Sequence, residues 1–129
     1  MSQPRLADYL GHMRQAAEEA CLFVQGLDKE RFLADKRTQR ATVMSLVIIG
    51  EAATKVMEQY CEFAERQSDV PWRSMRGMRN RIAHGYFDIN LDVVWETVVM
   101  ALPALSAQLD SLLAELASDA PSADDSKKP

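Results

Sequence analysis

Apolar residues recur along this chain mostly three and four positions apart, the spacing of one helix face. Leu6, Leu10, Met13, Ala17, Cys21 and Val24 make a first stripe, opened near Pro4, which suits a first helical turn, and closed near Gly26. Asp28 to Leu33 predicts a short helical turn with Asp28 as its cap. A long helix is expected from about Thr38 to Arg66, where Val43, Leu46, Gly50, Ala53, Met57, Tyr60 and Ala64 alternate by three and four. Val47, Ile49, Ala52, Val56 and Phe63 widen that face until the helix needs neighbours on more than one side. Gly50, Ala52 and Ala53 are small enough to let another helix come close. This helix is expected to be the spine of a bundle, and a candidate spine of a dimer.

Asp69 and Pro71 predict a restart, with Asp69 near the cap and Pro71 in the first turn. The helix that follows carries Met75, Met78 and Ile82 on its core side and should end at Gly85 in the left-handed conformation. After a loop over Phe87–Asn90, the last helix uses Val94, Val98, Leu102, Leu105, Leu109, Leu112 and Leu116, with a kink or break predicted at Pro103. From Ser118 the chain turns small, polar and proline-bearing, the composition of a disordered tail. No strand pattern or repeat is visible. The expectation is an all-α fold: one antiparallel bundle of four to five helices over residues 1–117, with a tail over 118–129.

The bulk numbers agree with that picture and narrow the function. At 129 residues, 47% hydrophobic and 26% charged, the chain fits one domain with a real core. Cys21 and Cys61 have no metal-type spacing and are expected to be reduced, partly buried thiols. The N-terminus lacks a long apolar run, and the longest span candidate, Val43 to Val56, is short and interrupted by Glu51 and Lys55. A soluble, cytoplasmic protein away from membranes is expected. The net charge of −4 argues against diffuse coating of nucleic acid, but a local basic cleft depends on nearby charges instead.

Such an island exists. Between Pro71 and Tyr86 stand Arg73, Arg76, Arg79 and Arg81, with no carboxylate, beside His84, one of only two histidines. At 100° per residue, Arg73, Arg76, Asn80 and His84 share one side of the helix, opposite Met75, Met78 and Ile82. Arg79 lies at the border, about 140° around from His84, and its long stem is expected to bridge the gap. Guanidinium groups match phosphate oxygens and an imidazole moves protons near neutral pH. These are the parts of a metal-independent ribonuclease, but they are also what a solvated helix face with a dipole-complementing histidine looks like.

The chain resembles the HEPN superfamily, and within it the HepT-type toxins of HEPN/MNT toxin–antitoxin pairs. The signature is an arginine, four to six residues, then a histidine, here Arg79-Asn80-Arg81-Ile82-Ala83-His84, with Tyr86 two places on. Pro71-Trp72, the run Met75 to Asn80, Ile48 to Ala53, Val94-Trp95 and Leu102-Pro103 fit the family's surrounding pattern, and the similarity covers roughly Leu6 to Leu116. The resemblance implies a homodimer whose two motifs face a shared cleft, and metal-independent endoribonuclease activity on RNA without a cofactor. His84 would be the acid/base residue and Arg79 the phosphate ligand, with Asn80, Arg76 and Arg73 supporting the substrate. It implies a cognate minimal nucleotidyltransferase antitoxin, and adenylylation of Tyr86 that would add a negative phosphate beside His84. Read without the family, Tyr86 is a half-buried aromatic with a wet hydroxyl.

Glu51 sits within an apolar helix and needs a partner, for which Arg79 or Arg76 is the candidate; an exposed edge is the other reading. His12 is expected to be a packing or surface residue, and no residue set has metal-ligand spacing. Two further readings stand beside the ribonuclease: a non-catalytic HEPN-like module that binds nucleotide or a partner, and a plain helical dimer with a basic docking patch.

Overall fold

The computed structural model describes residues 5–119, and every regular element in them is helical. Helix α1 spans Leu6–Phe23, with the Arg5 N–H donating to Asp8 Oδ2 at 2.8 Å; Pro4 lies outside the described residues. Helix α2, Lys29–Leu33, is capped as expected by Asp28, whose carboxylate accepts from the Arg31 N–H at 2.8 Å. Asp35 caps α3 (Lys36–Gln59), accepting from both the backbone N–H and the hydroxyl of Thr38. Then follow α4 (Cys61–Arg66), α5 (Trp72–His84), a 3₁₀ turn (Tyr86–Asp88), α6 (Leu91–Glu96), a π turn (Thr97–Ala101) and α7 (Leu102–Asp119).

Helix α3 is the spine the hydrophobic pattern called for. It packs against α1 on one side and α5 on the other, and α1 in turn carries α7. Leu10, Met13, Phe32, Ile49, Val56, Val94, Val98 and Leu109 are fully buried between these helices. Phe32 stacks on Trp95 with ring centroids 5.4 Å apart, tying α2 to α6. The small-residue stretch of α3 is used at Gly50: a Cβ there would stand 2.7 Å from the Met75 carbonyl oxygen and would collide with the Arg79 Cβ. Helix α5 can reach its position only because Gly50 has no side chain.

Several local expectations change. The long helix does not run unbroken to Arg66, because Tyr60 leaves helical geometry (φ −136°, ψ 51°) and α4 restarts in a new direction. A one-residue break leaves the three-and-four spacing intact, so the pattern cannot reveal it. The bend lets Phe63 meet Trp72 edge to face at 6.3 Å. Gly85 is not left-handed (φ −158°, ψ 72°); its N–H bonds to the Arg81 oxygen and the chain continues as a 3₁₀ turn. Pro71 is the cap of α5 and not part of its first turn, and Asp69 makes no side-chain cap. What pins that entry is the Trp72 indole N–H donating to the Gln67 oxygen at 3.1 Å, and the Gln108 amide donating to the Asp69 oxygen at 3.0 Å.

At Pro103 the last helix is interrupted but does not end: the preceding turn is widened into a π turn between α6 and α7, so that the Leu102 N–H bonds back to the Thr97 oxygen. Proline has no N–H for the next wide bond, to Val98, and the Val98 oxygen accepts from the Cys21 thiol at 3.9 Å instead. Burial, and then the Glu18 charge, push the Cys21 thiol above its ordinary pKa. Cys61 is exposed, contrary to expectation, because it opens α4 beyond the bend. Among the described residues, the helix long and apolar enough to cross a membrane is Leu91–Ser118, not the Val43–Val56 stretch; the bundle buries its Val94, Val98, Leu102, Leu105 and Leu109, which leaves most of that apolar window uncovered in the single chain. Helix α7 continues through Ser118 and Asp119, past the expected start of the tail; the rest of the tail lies outside the described residues.

Candidate active site

Helix α5 carries the basic island, and its packing decides which of those residues are free. Trp72, Met75 and Ile82 are buried, which turns one face of the helix inward. Arg73, Asn80, Arg81 and His84 are exposed, while Arg76 and Arg79 are half-buried.

Arg79 lies over Gly50 and reaches along α3. Its Nε is 2.8 Å from Glu51 Oε1, in a direction outside hydrogen-bond alignment, so the contact is a charge pairing. Its Nη2 donates to Thr54 Oγ1 at 3.4 Å, and the Thr54 hydroxyl donates to the Gly50 oxygen at 2.8 Å. Of the two partners considered for Glu51, Arg79 is therefore the one it meets. Thr54 was not anticipated. The available signal was its place four residues after Gly50, as a polar residue inside an otherwise apolar row.

The structure does not gather all the expected residues into one concavity. Arg73 and Arg76 line a groove of about 590 Å³ with Trp72, Cys61 and Glu65. His84 and Arg81 line another of about 530 Å³ with Asp88, Asn90 and Ile89. Tyr86 belongs to a third, with Lys36 and Arg40 of α3. Arg73 and His84 share a helix side but stand about 16 Å apart along the axis at 1.5 Å per residue. Arg79 does not bridge to His84, because Glu51 and Thr54 hold its guanidinium against α3. The Asn80 side chain makes no hydrogen bond among the described residues, which leaves its amide free for a ligand.

Chemically, the helix offers an exposed imidazole at its C-terminal end and a guanidinium oriented by two α3 side chains, with a free carboxamide between them. Among the described residues, no three His, Cys, Asp or Glu side chains are placed to hold a metal ion. His12 is exposed on α1, on the surface as one of its readings held.

Comparison with known proteins bears directly on this helix. The model of the family described as "Ribonuclease HepT-like" matches residues 13–112, which include all of α5 and all of α3, on which it packs. A Caldanaerobacter subterraneus protein whose name classes it as an RNase is 39% identical over 113 residues, covering 88% of this chain and 96% of that one. A Thermococcus cleftensis protein named for ribonuclease HepT is 35% identical, over 81% of this chain and 93% of its own. A Methanocaldococcus jannaschii protein also named for RNase activity is 30% identical over 86% of each chain. No solved structure matches. With the family model covering the helical core and relatives spanning nearly their whole length, this chain belongs to the HepT-like ribonucleases of the HEPN superfamily.

Proposed function

We propose that this chain is a metal-independent endoribonuclease and the toxin half of a toxin–antitoxin pair, acting on RNA in the cytoplasm as a homodimer. The observation that carries the reading is the state of Arg79. It is half-buried, seated over a glycine and oriented by Glu51 and Thr54, five residues before an exposed His84. A solvated surface arginine has no use for such a mounting, whereas a phosphate ligand in catalysis does.

In this mechanism His84 takes the proton of a ribose 2′-hydroxyl as its oxygen attacks the neighbouring phosphorus. The phosphorus–O5′ bond breaks, a proton passes to the leaving 5′-oxygen, and the products end in 2′,3′-cyclic phosphate and 5′-hydroxyl. Arg79, which Glu51 and Thr54 hold away from the His84 of its own helix, would meet, with Asn80, the charge gathering on the non-bridging oxygens in the cleft shared with the facing copy of α5. A second copy of α5 facing the first would double the local positive charge, which reconciles a basic cleft with a net charge of −4. Regulation by a cognate nucleotidyltransferase is supported by the exposure of Tyr86, just beyond His84 and open to modification.

The test is cleavage of total cellular RNA by the purified chain in EDTA, beside His84→Ala, with analysis of product ends. Discrete cyclic-phosphate products that vanish in the variant are expected. Equal cleavage by the variant would remove His84 from the chemistry. No cleavage by the unmodified parent would favour the non-catalytic binding module.

A further inference from the structure

The turn after His84 ends in an unusual surface. Phe87 is 97% exposed and Tyr86 41% exposed, and their rings meet edge to face with centroids 5.8 Å apart. An aromatic ring left wholly in water is costly unless something covers it when the protein works. Beside these rings lies a groove of about 260 Å³, lined on its other wall by Lys36, Gln39 and Arg40 at the start of α3. Neither Lys36 nor Arg40 forms an ion pair among the described residues, and no carboxylate lines the groove. The nearby Asp35 is already committed to Thr38 as the cap of α3. Gln39 is also committed, donating to the Phe32 and Leu33 carbonyls.

Aromatic faces interleaved with cations are the composition that holds unpaired nucleotides, the rings stacking on bases and the cations meeting phosphates. A protein partner would cover the rings equally well, but the uncompensated positive wall selects a polyanion. The groove also adjoins the proposed chemistry. Ile89 lines both this groove and the one that holds His84, so the two adjoin at that residue. His84 and Phe87 are three residues apart, about 11 Å at full extension.

We propose that Phe87 and Tyr86, with Lys36 and Arg40, form a single-strand RNA subsite that seats the unpaired nucleotide next to the bond at His84. The subsite rests on the ribonuclease reading and sharpens it: the substrate is RNA with unpaired bases at the cleavage site. It also gives Tyr86 modification a physical consequence. An AMP carried on Tyr86 places a base and a phosphate in the groove the substrate needs.

The test uses the full chain. On a His84→Ala background, so that RNA stays intact, fluorescence anisotropy measures binding of a labelled single-stranded RNA and of the same sequence as a duplex. Phe87→Ala should weaken the single strand about tenfold, and Phe87→Trp should retain the parent affinity. Replacing Lys36 and Arg40 by Ala should flatten the salt dependence by about 0.7 in log–log slope for each cation removed. In the chain with His84 intact, Phe87→Ala should raise KM about tenfold with kcat unchanged. Parent-like single-strand affinity in Phe87→Ala, or duplex bound as tightly as single strand, overturns the subsite. So does loss of dimer mass in Phe87→Ala by light scattering, which would make the ring a protein contact. If the parent cleaves RNA and Phe87→Ala cleaves with the same KM, the subsite fails and the ribonuclease reading survives. A parent that neither binds nor cleaves RNA takes both down.

Discussion

Arg79 and Glu51 meet across the α3–α5 interface, Nε to Oε1 at 2.8 Å, with the Glu51 side chain 55% exposed and that of Arg79 only 25%. The asymmetry matters. A pair so open on one side adds little to stability, within about 1 kcal/mol for surface ion pairs, yet it fixes where the Arg79 guanidinium points.

Glu51→Gln should therefore separate function from folding. Its thermal midpoint should stay close to the parent's, while kcat/KM for RNA cleavage falls on the order of tenfold to a hundredfold through kcat. Thr54→Val, which removes the second contact, should lower kcat in the same direction, and Glu51→Asp should recover part of the loss. A thermal midpoint that drops while kcat holds would make the pair a structural one.

Gly50→Ala should behave in the opposite way. The new Cβ meets the Met75 oxygen and the Arg79 side chain, and backbone cannot yield as a flexible side chain does. A loss of about 1–3 kcal/mol is expected from overpacking, read from urea midpoints, with activity falling as Arg79 is displaced. Gly11→Ala is the control. Nothing lies within 4 Å of its added Cβ, so it should stabilise α1 by about 1 kcal/mol through helix propensity alone.

The cap of α3 has a pH signature. Bonds from the Thr38 hydroxyl, then from backbone N–H groups, hold the Asp35 carboxyl below its ordinary value of 3.8. A carboxylate lowered on folding stabilises the folded state at pH above that ordinary value, and the contribution disappears as pH falls through the lowered one. Asp35→Ala should thus be less stable than the parent at neutral pH, and the gap between their urea midpoints should close in acid. A gap that stays constant down to that range would mean that Asp35 does not act through its charge.

Tyr86→Phe keeps the ring and loses the hydroxyl that an adenylyl group would join. Expressed with the nucleotidyltransferase partner proposed above, this variant should go on arresting growth while the parent is silenced, and intact-mass spectra should show AMP on the parent alone. Silencing of both chains would mean that the partner works by blocking, without Tyr86.

Much of this protein was legible from the chain itself. The three-and-four spacing determined the helices, the Asp28 cap, the buried faces and the choice of α3 as spine, because these follow from local geometry and from which residues avoid water. The run Arg79 to His84, with Tyr86 and the surrounding pattern from Ile48 to Pro103, pointed to the family that the comparisons then showed. Three things were decided only by tertiary structure. A single-residue break at Tyr60 leaves hydrophobic periodicity unchanged, so only packing of Phe63 on Trp72 discloses the turn into α4. Pro103 has no N–H in any helix, but that the chain answers with a widened turn before it, and that the Cys21 thiol of α1 meets the Val98 carbonyl there, is visible only in the packed structure. And a helical wheel gives angles around one axis without the neighbours that claim each side chain. It placed Arg79 at a border free to reach His84, whereas the close approach over Gly50 brings Glu51 and Thr54 within range and turns the guanidinium to α3.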